Sequence, residues 1–80
     1  MKTTIKLKFP IEFNGLKIEK LEMRRCKAGD REQAELAGKT DAAREIALFS
    51  SLTETEPGAI RQLDLADYVQ LQEAFQDFLS

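Results

Sequence analysis

Residues 3–25 read "TTIKLKFPIEFNGLKIEKLEMRR", and how this stretch folds decides the class of the whole chain. Ile5, Leu7, Phe9, Ile11 and Phe13 occupy the odd positions, and Lys6, Lys8 and Glu12 the even ones. Alternation at period two marks a strand with one buried face. Pro10 cannot donate to a ladder, so the strand lies at an edge or bends there. Asn14-Gly15 follows, and this pair tolerates the positive φ that a two-residue type I′ turn requires at both positions. In the return strand Leu16 and Ile18 share one parity, and Leu21 and Met23 take the other. A β-bulge near Glu19–Lys20 produces such a slip, and so does a strand that passes from one buried face to two.

Helical signals take over after this hairpin. Gly29 breaks the strand, Asp30 is the expected N-cap with Gln33 three residues on, and Gly38 ends a short helix. A second helix starts near Thr40 or Asp41 and carries an apolar stripe through Ala42, Glu45–Ile46, Phe49 and Leu52–Thr53. Pro57 suits the first turn of a third, short helix, because its missing N–H would have no partner there. Ile60 and Leu63 give that helix its inward face. The expected class is α+β: one domain over residues 1–80, with a hairpin in 1–25 and three to four helices in 30–80.

The closing segment, "LDLADYVQLQEAFQDFL" at 63–79, is the last helix, and it is amphipathic. At about 100° per residue its apolar side chains sweep a wide arc, from Ala74 through Leu71, Phe75, Tyr68 and Leu65 to Val69. Gln72 is the one polar intruder expected on that arc. Asp64 reads as the N-cap, and Asp67 as a carboxylate facing the positive end of the helix dipole. Glu73 and Asp77 fall opposite the arc, toward solvent.

Composition narrows the function. A chain of 80 residues buries only about 60–65% of its unfolded surface, so self-association or a partner chain is the expected source of further burial. Cys26 is the single cysteine and there is no histidine, which removes an internal disulfide and the usual zinc sets. No cofactor is expected. Without a signal-like apolar run the chain reads as cytoplasmic, with no membrane partner. The net charge of −2 and pI near 5.1 speak against a nucleic-acid binder. Charge is nevertheless segregated: residues 1–31 hold nine Lys/Arg against four acids, and residues 62–80 hold four acids and no basic residue. Lys6 and Lys8 alternate away from Phe9 and Phe13, whereas a stacking platform for single strands needs rings and cations on one face.

Catalytic constellations are missing. Glu73 and Asp77 share a solvated face, no histidine serves as a base for Cys26 or a serine, and the glycines stand singly. Arg24, Arg25 and Lys27 would activate Cys26 only if it were exposed. The chain reads as a non-enzymatic protein-binding module. Its candidate protein-binding residues are Ile46, Phe49, Leu52, Leu65, Tyr68, Val69, Leu71, Phe75 and Phe78. Asn14, Gly15, Asp30, Pro57, Asp64 and Asp67 carry structural roles.

Three stretches, taken in order, resemble the small tail assembly chaperones of tailed bacteriophages, in the Mu-like group with contractile tails. They are "LKFPIEFNGLKIEKLEMRR" (7–25), "KAGD" (27–30) and "LTETEPGAIRQLDLADYVQLQEAFQDFL" (52–79). The last is the most specific, with a Pro-containing short helix, Leu-x-x-x-Asp-Tyr and an aromatic-rich final helix. Cys26 departs from the family pattern after the basic pair. The resemblance implies a chaperone of the host cytoplasm, absent from the mature virion, that binds the tape measure protein and keeps it soluble. It further implies contact with tail tube subunits and, in many members, a longer form made by frameshifting. The alternative is a small α+β adaptor or antitoxin-like module without a tail role.

Overall fold

Asn14 and Gly15 both adopt positive φ, 52° and 80°, and turn the chain back on itself as a type I′ hairpin requires. A computed structural model describes residues 2–80; Met1, included in the expected single domain, lies outside the described residues. The hairpin consists of β1 (Lys2–Phe13) and β2 (Leu16–Arg24), paired antiparallel. Four helices follow: α1 (Ala28–Ala37), α2 (Asp41–Thr53), α3 (Pro57–Arg61) and α4 (Leu65–Leu79). The class is α+β.

The parity slip in the hairpin is real and falls at Glu19–Lys20, but the excess residues lie across from them in β1. From Lys6 to Ile11 β1 advances five residues, while β2 advances two from Lys20 to Ile18, leaving three residues of β1 unmatched. Pro10 sits in this interval, where its missing N–H interrupts no ladder bond. The irregularity reconciles the two strands, because Ile5 still faces Leu21 and Ile11 still faces Ile18. Ile5, Leu7, Leu21 and Met23 are buried, whereas Phe9, expected on the inner face, is turned out with 54% of its surface exposed.

The helix starts follow local chemistry. Thr40 caps α2 by accepting from the Ala43 N–H at 3.1 Å, Pro57 opens α3, and Asp64 caps α4 by accepting from the Ala66 N–H at 2.9 Å. For α1 the expectation was displaced. The helix begins at Ala28 with Lys27 as N-cap residue, and Asp30 lies in its first turn. Asp30 reaches back to accept the Lys27 N–H at 2.8 Å, the acidic half of a capping box. Its carboxylate also takes both arms of the Arg24 guanidinium, at 2.8 and 2.9 Å. Those bonds hold Asp30 well below the usual carboxylate range. Gly38 ends α1 where a Cβ would lie 2.7 Å from the Arg44 nitrogen, so α2 can approach closely only because no side chain is present.

One core joins the hairpin to the helices. Leu48, Phe49 and Leu52 of α2, Ile60 of α3, and Leu71 and Ala74 of α4 close over Ile5, Leu7, Leu21 and Met23. Leu48 completes the buried stripe of α2 with Phe49, Leu52 and Thr53, in place of the expected Ala42, which is exposed.

Candidate functional site

The structure deploys the final helix in two ways. Its inner face holds Asp67, Leu71 and Ala74, all buried. Asp67 has 0% of its surface exposed, and its carboxylate accepts the backbone N–H groups of Lys8 and Phe9, each at 2.9 Å. These donors belong to the bulge of β1, so one side chain satisfies the groups that the lost ladder leaves over. Gln70 donates to Asp67 at 2.8 Å and to the Lys6 carbonyl at 3.2 Å. Burial pushes the Asp67 carboxyl up, but the bonds from Lys8, Phe9 and Gln70 outweigh it and hold it below the usual carboxylate value. Asp67 does lie in the first turn, yet its main work is to pin the strand. On the helical wheel it falls at about 300°, between Ala74 and Phe78, so Gln72 is not the sole polar residue on the arc. That position was the available signal.

Above the core lies a second polar junction. Tyr68 donates its hydroxyl to Glu45 at 2.6 Å, and Gln72 donates to the same oxygen at 2.9 Å. Burial first, and then the neighbouring Glu45 carboxylate, push the Tyr68 phenol well above its ordinary value. The Tyr68 and Phe75 rings pack on Phe49 with centroids 5.6 and 5.8 Å away. Arg25 closes the far end of α4. It lies over the Phe78 ring at 5.4 Å and donates to the Phe78 carbonyl at 3.1 Å, placing a cation at the negative end of the helix.

The nine candidate binding residues therefore divide into three groups. Phe49, Leu52 and Leu71 are fully enclosed in the core. Ile46, Tyr68, Phe75 and Phe78 pack on the core with part of their surface open. Leu65 and Val69 are exposed, at 73% and 41%. Ile46, Leu65 and Tyr68 meet in a shallow groove of about 400 Å³ between α2, α3 and the start of α4. Ile60 and Leu63 contribute further apolar wall, and Glu45, Arg61 and Gln72 are polar neighbours. Leu63, expected on the inward face of the short helix, lies beyond its end at Arg61 and turns into the groove instead. A smaller cavity of about 260 Å³ lies between α1 and α2, with Phe75 of α4 in its wall. Its rim is already ion-paired, Arg31 and Arg44 with Glu35, and Arg44 with Asp41.

The chemistry on offer is side-chain packing beside a polar rim. Cys26 is half-buried, and burial raises its thiol pKa, so the flanking cations do not produce an activated thiolate. Among the described residues no cluster of acids and thiols has the makings of a metal site, and no helix is long and apolar enough to cross a membrane.

Residues 4–80 match the family model described as "Phage tail assembly chaperone proteins, E, or 41 or 14". The chain belongs to the phage tail assembly chaperone family. No curated protein and no solved structure matches it. In this chaperone the family match spans the hairpin, the bulge and its Asp67 anchor, and the groove alike.

Proposed function

We propose that this chaperone is a non-enzymatic holdase that binds the tape measure protein and keeps it soluble while the tail assembles. Family membership supports a role in tail assembly. The observation that carries the finer reading is the open groove of Ile46, Leu65 and Tyr68, with the exposed Val69 one turn beyond Leu65 on α4. A holdase for a long helical client needs apolar surface held ready on a soluble scaffold, and a cleft between amphipathic helices supplies it. In this reading residues 1–80 act as one unit in the host cytoplasm, hand the client to tail tube subunits, and are absent from the mature virion. The Mu-like lineage and a frameshifted longer form belong to the same proposal.

Co-expression with the tape measure protein encoded nearby tests it. The client is expected to move from the pellet to the soluble fraction and to co-purify with the chaperone. A client that stays as insoluble as when made alone refutes the reading.

A further inference from the structure

The outward side of α4 carries a pattern that the core does not use. Leu65, Val69, Gln72, Gln76 and Leu79 are spaced four, three, four and three residues apart. That is the spacing of the seam along which one helix packs against another. Leu65, Val69 and Leu79 are exposed, the last at 64%, Gln76 is exposed too, and Gln72 is half-buried. At its first turn the seam runs into the groove beside Ile46 and Tyr68. A helix of 15 residues gives a strip about 22 Å long, enough for two heptads of a partner.

Charge selects the partner. Asp64, Glu73 and Asp77 border the strip, and residues 62–80 contain no Lys or Arg. Among the described residues the ion pairs engage Glu19, Asp30, Glu35 and Asp41, and none of the acids of α4. Glu45, at the groove, accepts only from the neutral donors Tyr68 and Gln72. A second copy of α4 laid along the seam would bring acids against acids, with Arg61 at the groove end the one cation lining the strip among the described residues. Two central glutamines, like a buried polar residue in a coiled coil, would fix register at some cost in affinity.

We propose that the outward seam of α4 receives an amphipathic helix of the client whose apolar four-three stripe is flanked by Lys or Arg. This rests on the reading that the client is a long helical protein. The seam supplies apolar contact at its two ends, the Gln76 amide and the Gln72 side-chain carbonyl between them, and carboxylates for the basic flanks.

The test uses the full chain and two synthetic helical peptides of about three heptads with the same Leu/Val stripe, one flanked by Lys and one by Glu. Calorimetry at low salt is expected to show the Lys peptide binding at least tenfold more tightly. Val69→Glu is expected to abolish that binding. The double variant Glu73→Lys/Asp77→Lys alters only exposed positions, so it keeps the fold, and it is expected to reverse the preference between peptides. Equal affinities, binding of neither peptide, an unchanged preference in the double variant, or a homodimer that Val69→Glu dissolves would each overturn the proposal. Co-expression separates the two levels. If wild type and both variants solubilise the tape measure protein equally, the holdase reading stands and the seam is wrong; if wild type fails, the holdase reading falls.

Discussion

Replacing Asp67 should cost this protein more than any other single change to its polar groups. Its carboxylate is wholly buried and accepts two backbone N–H groups at 2.9 Å and the Gln70 amide at 2.8 Å. Hydrogen bonds to a charged group contribute about 1.5–3 kcal/mol each, and an orphaned buried donor costs about 1–3 kcal/mol. Asp67→Ala strands the Lys8 and Phe9 donors, but it also removes a charge that was expensive to bury. The net loss expected is about 2–4 kcal/mol. At about 0.05–0.15 kcal/mol per residue, a chain this size holds only some 4–12 kcal/mol in all. Asp67→Asn keeps one acceptor and turns an amide donor toward the other N–H, for a loss of about 1–3 kcal/mol. Urea unfolding followed by circular dichroism measures both. With a slope near 1 kcal/mol/M, the midpoint of Asp67→Ala should fall by about 2 M or more. The exposed Asp77→Ala should stay within about 0.5 kcal/mol of wild type. If Asp67→Ala behaved like Asp77→Ala, the anchoring role would be refuted. Acid supplies a second readout. The folded pKa of Asp67 lies below its unfolded value, so its stabilisation is complete above about pH 4 and drains away as pH falls through the folded value. Asp67→Asn should flatten that part of the curve.

Tyr68 is the only tyrosine, so phenolate absorbance reports it alone: it should stay protonated well above pH 10 in the folded chain and titrate normally in urea. Because its folded pKa is raised, the associated stabilisation is present below pH 10 and is lost as pH climbs through the folded value. Two glycines should respond oppositely to alanine. Gly29→Ala meets nothing within 4 Å in an exposed helical turn and should stabilise by up to about 1 kcal/mol, whereas Gly38→Ala places a Cβ 2.7 Å from the Arg44 nitrogen and should destabilise by about 1–3 kcal/mol. Thermal melts decide both, and a gain at Gly38 would contradict the close packing of α1 on α2. Asp30→Asn should lower stability near neutral pH and lose its effect in strong acid, because the Asp30 pKa is depressed by Arg24 and the Lys27 N–H.

Local signals served where the determinant lies within a few residues. Asn14-Gly15 dictates its own turn, Thr40 and Asp64 cap the helices they precede, and Pro57 opens α3. Asp30 was legible as a capping residue but not in its position, because both an N-cap and the third helical residue can serve a helix start with a carboxylate. Arg24, which fixes the choice, approaches from the hairpin. The bulge announced itself as a parity slip, yet parity shows only that two strands disagree and not which one carries the excess. Asp67 settles that question from 58 and 59 positions away, and no window of sequence contains both partners. Among the binding candidates, a helical wheel separated apolar from polar. It could not tell Leu71, enclosed under the hairpin, from Leu65, left open, since that depends on how far neighbouring elements reach round the arc.

The link from Asp67 to Lys8 and Phe9 also has a consequence in time. The irregular part of β1 has no ladder partners of its own, and its anchor is supplied from α4. While the polypeptide emerges from the ribosome, the residues of the hairpin and the second helix are synthesised before Asp67, so until then the Lys8 and Phe9 donors have only water. Closing a loop of almost sixty residues carries an entropy cost that local helix formation does not reduce. A partly synthesised chain that stops short of α4 therefore lacks both the Asp67 anchor and the groove wall that Leu65 and Tyr68 supply.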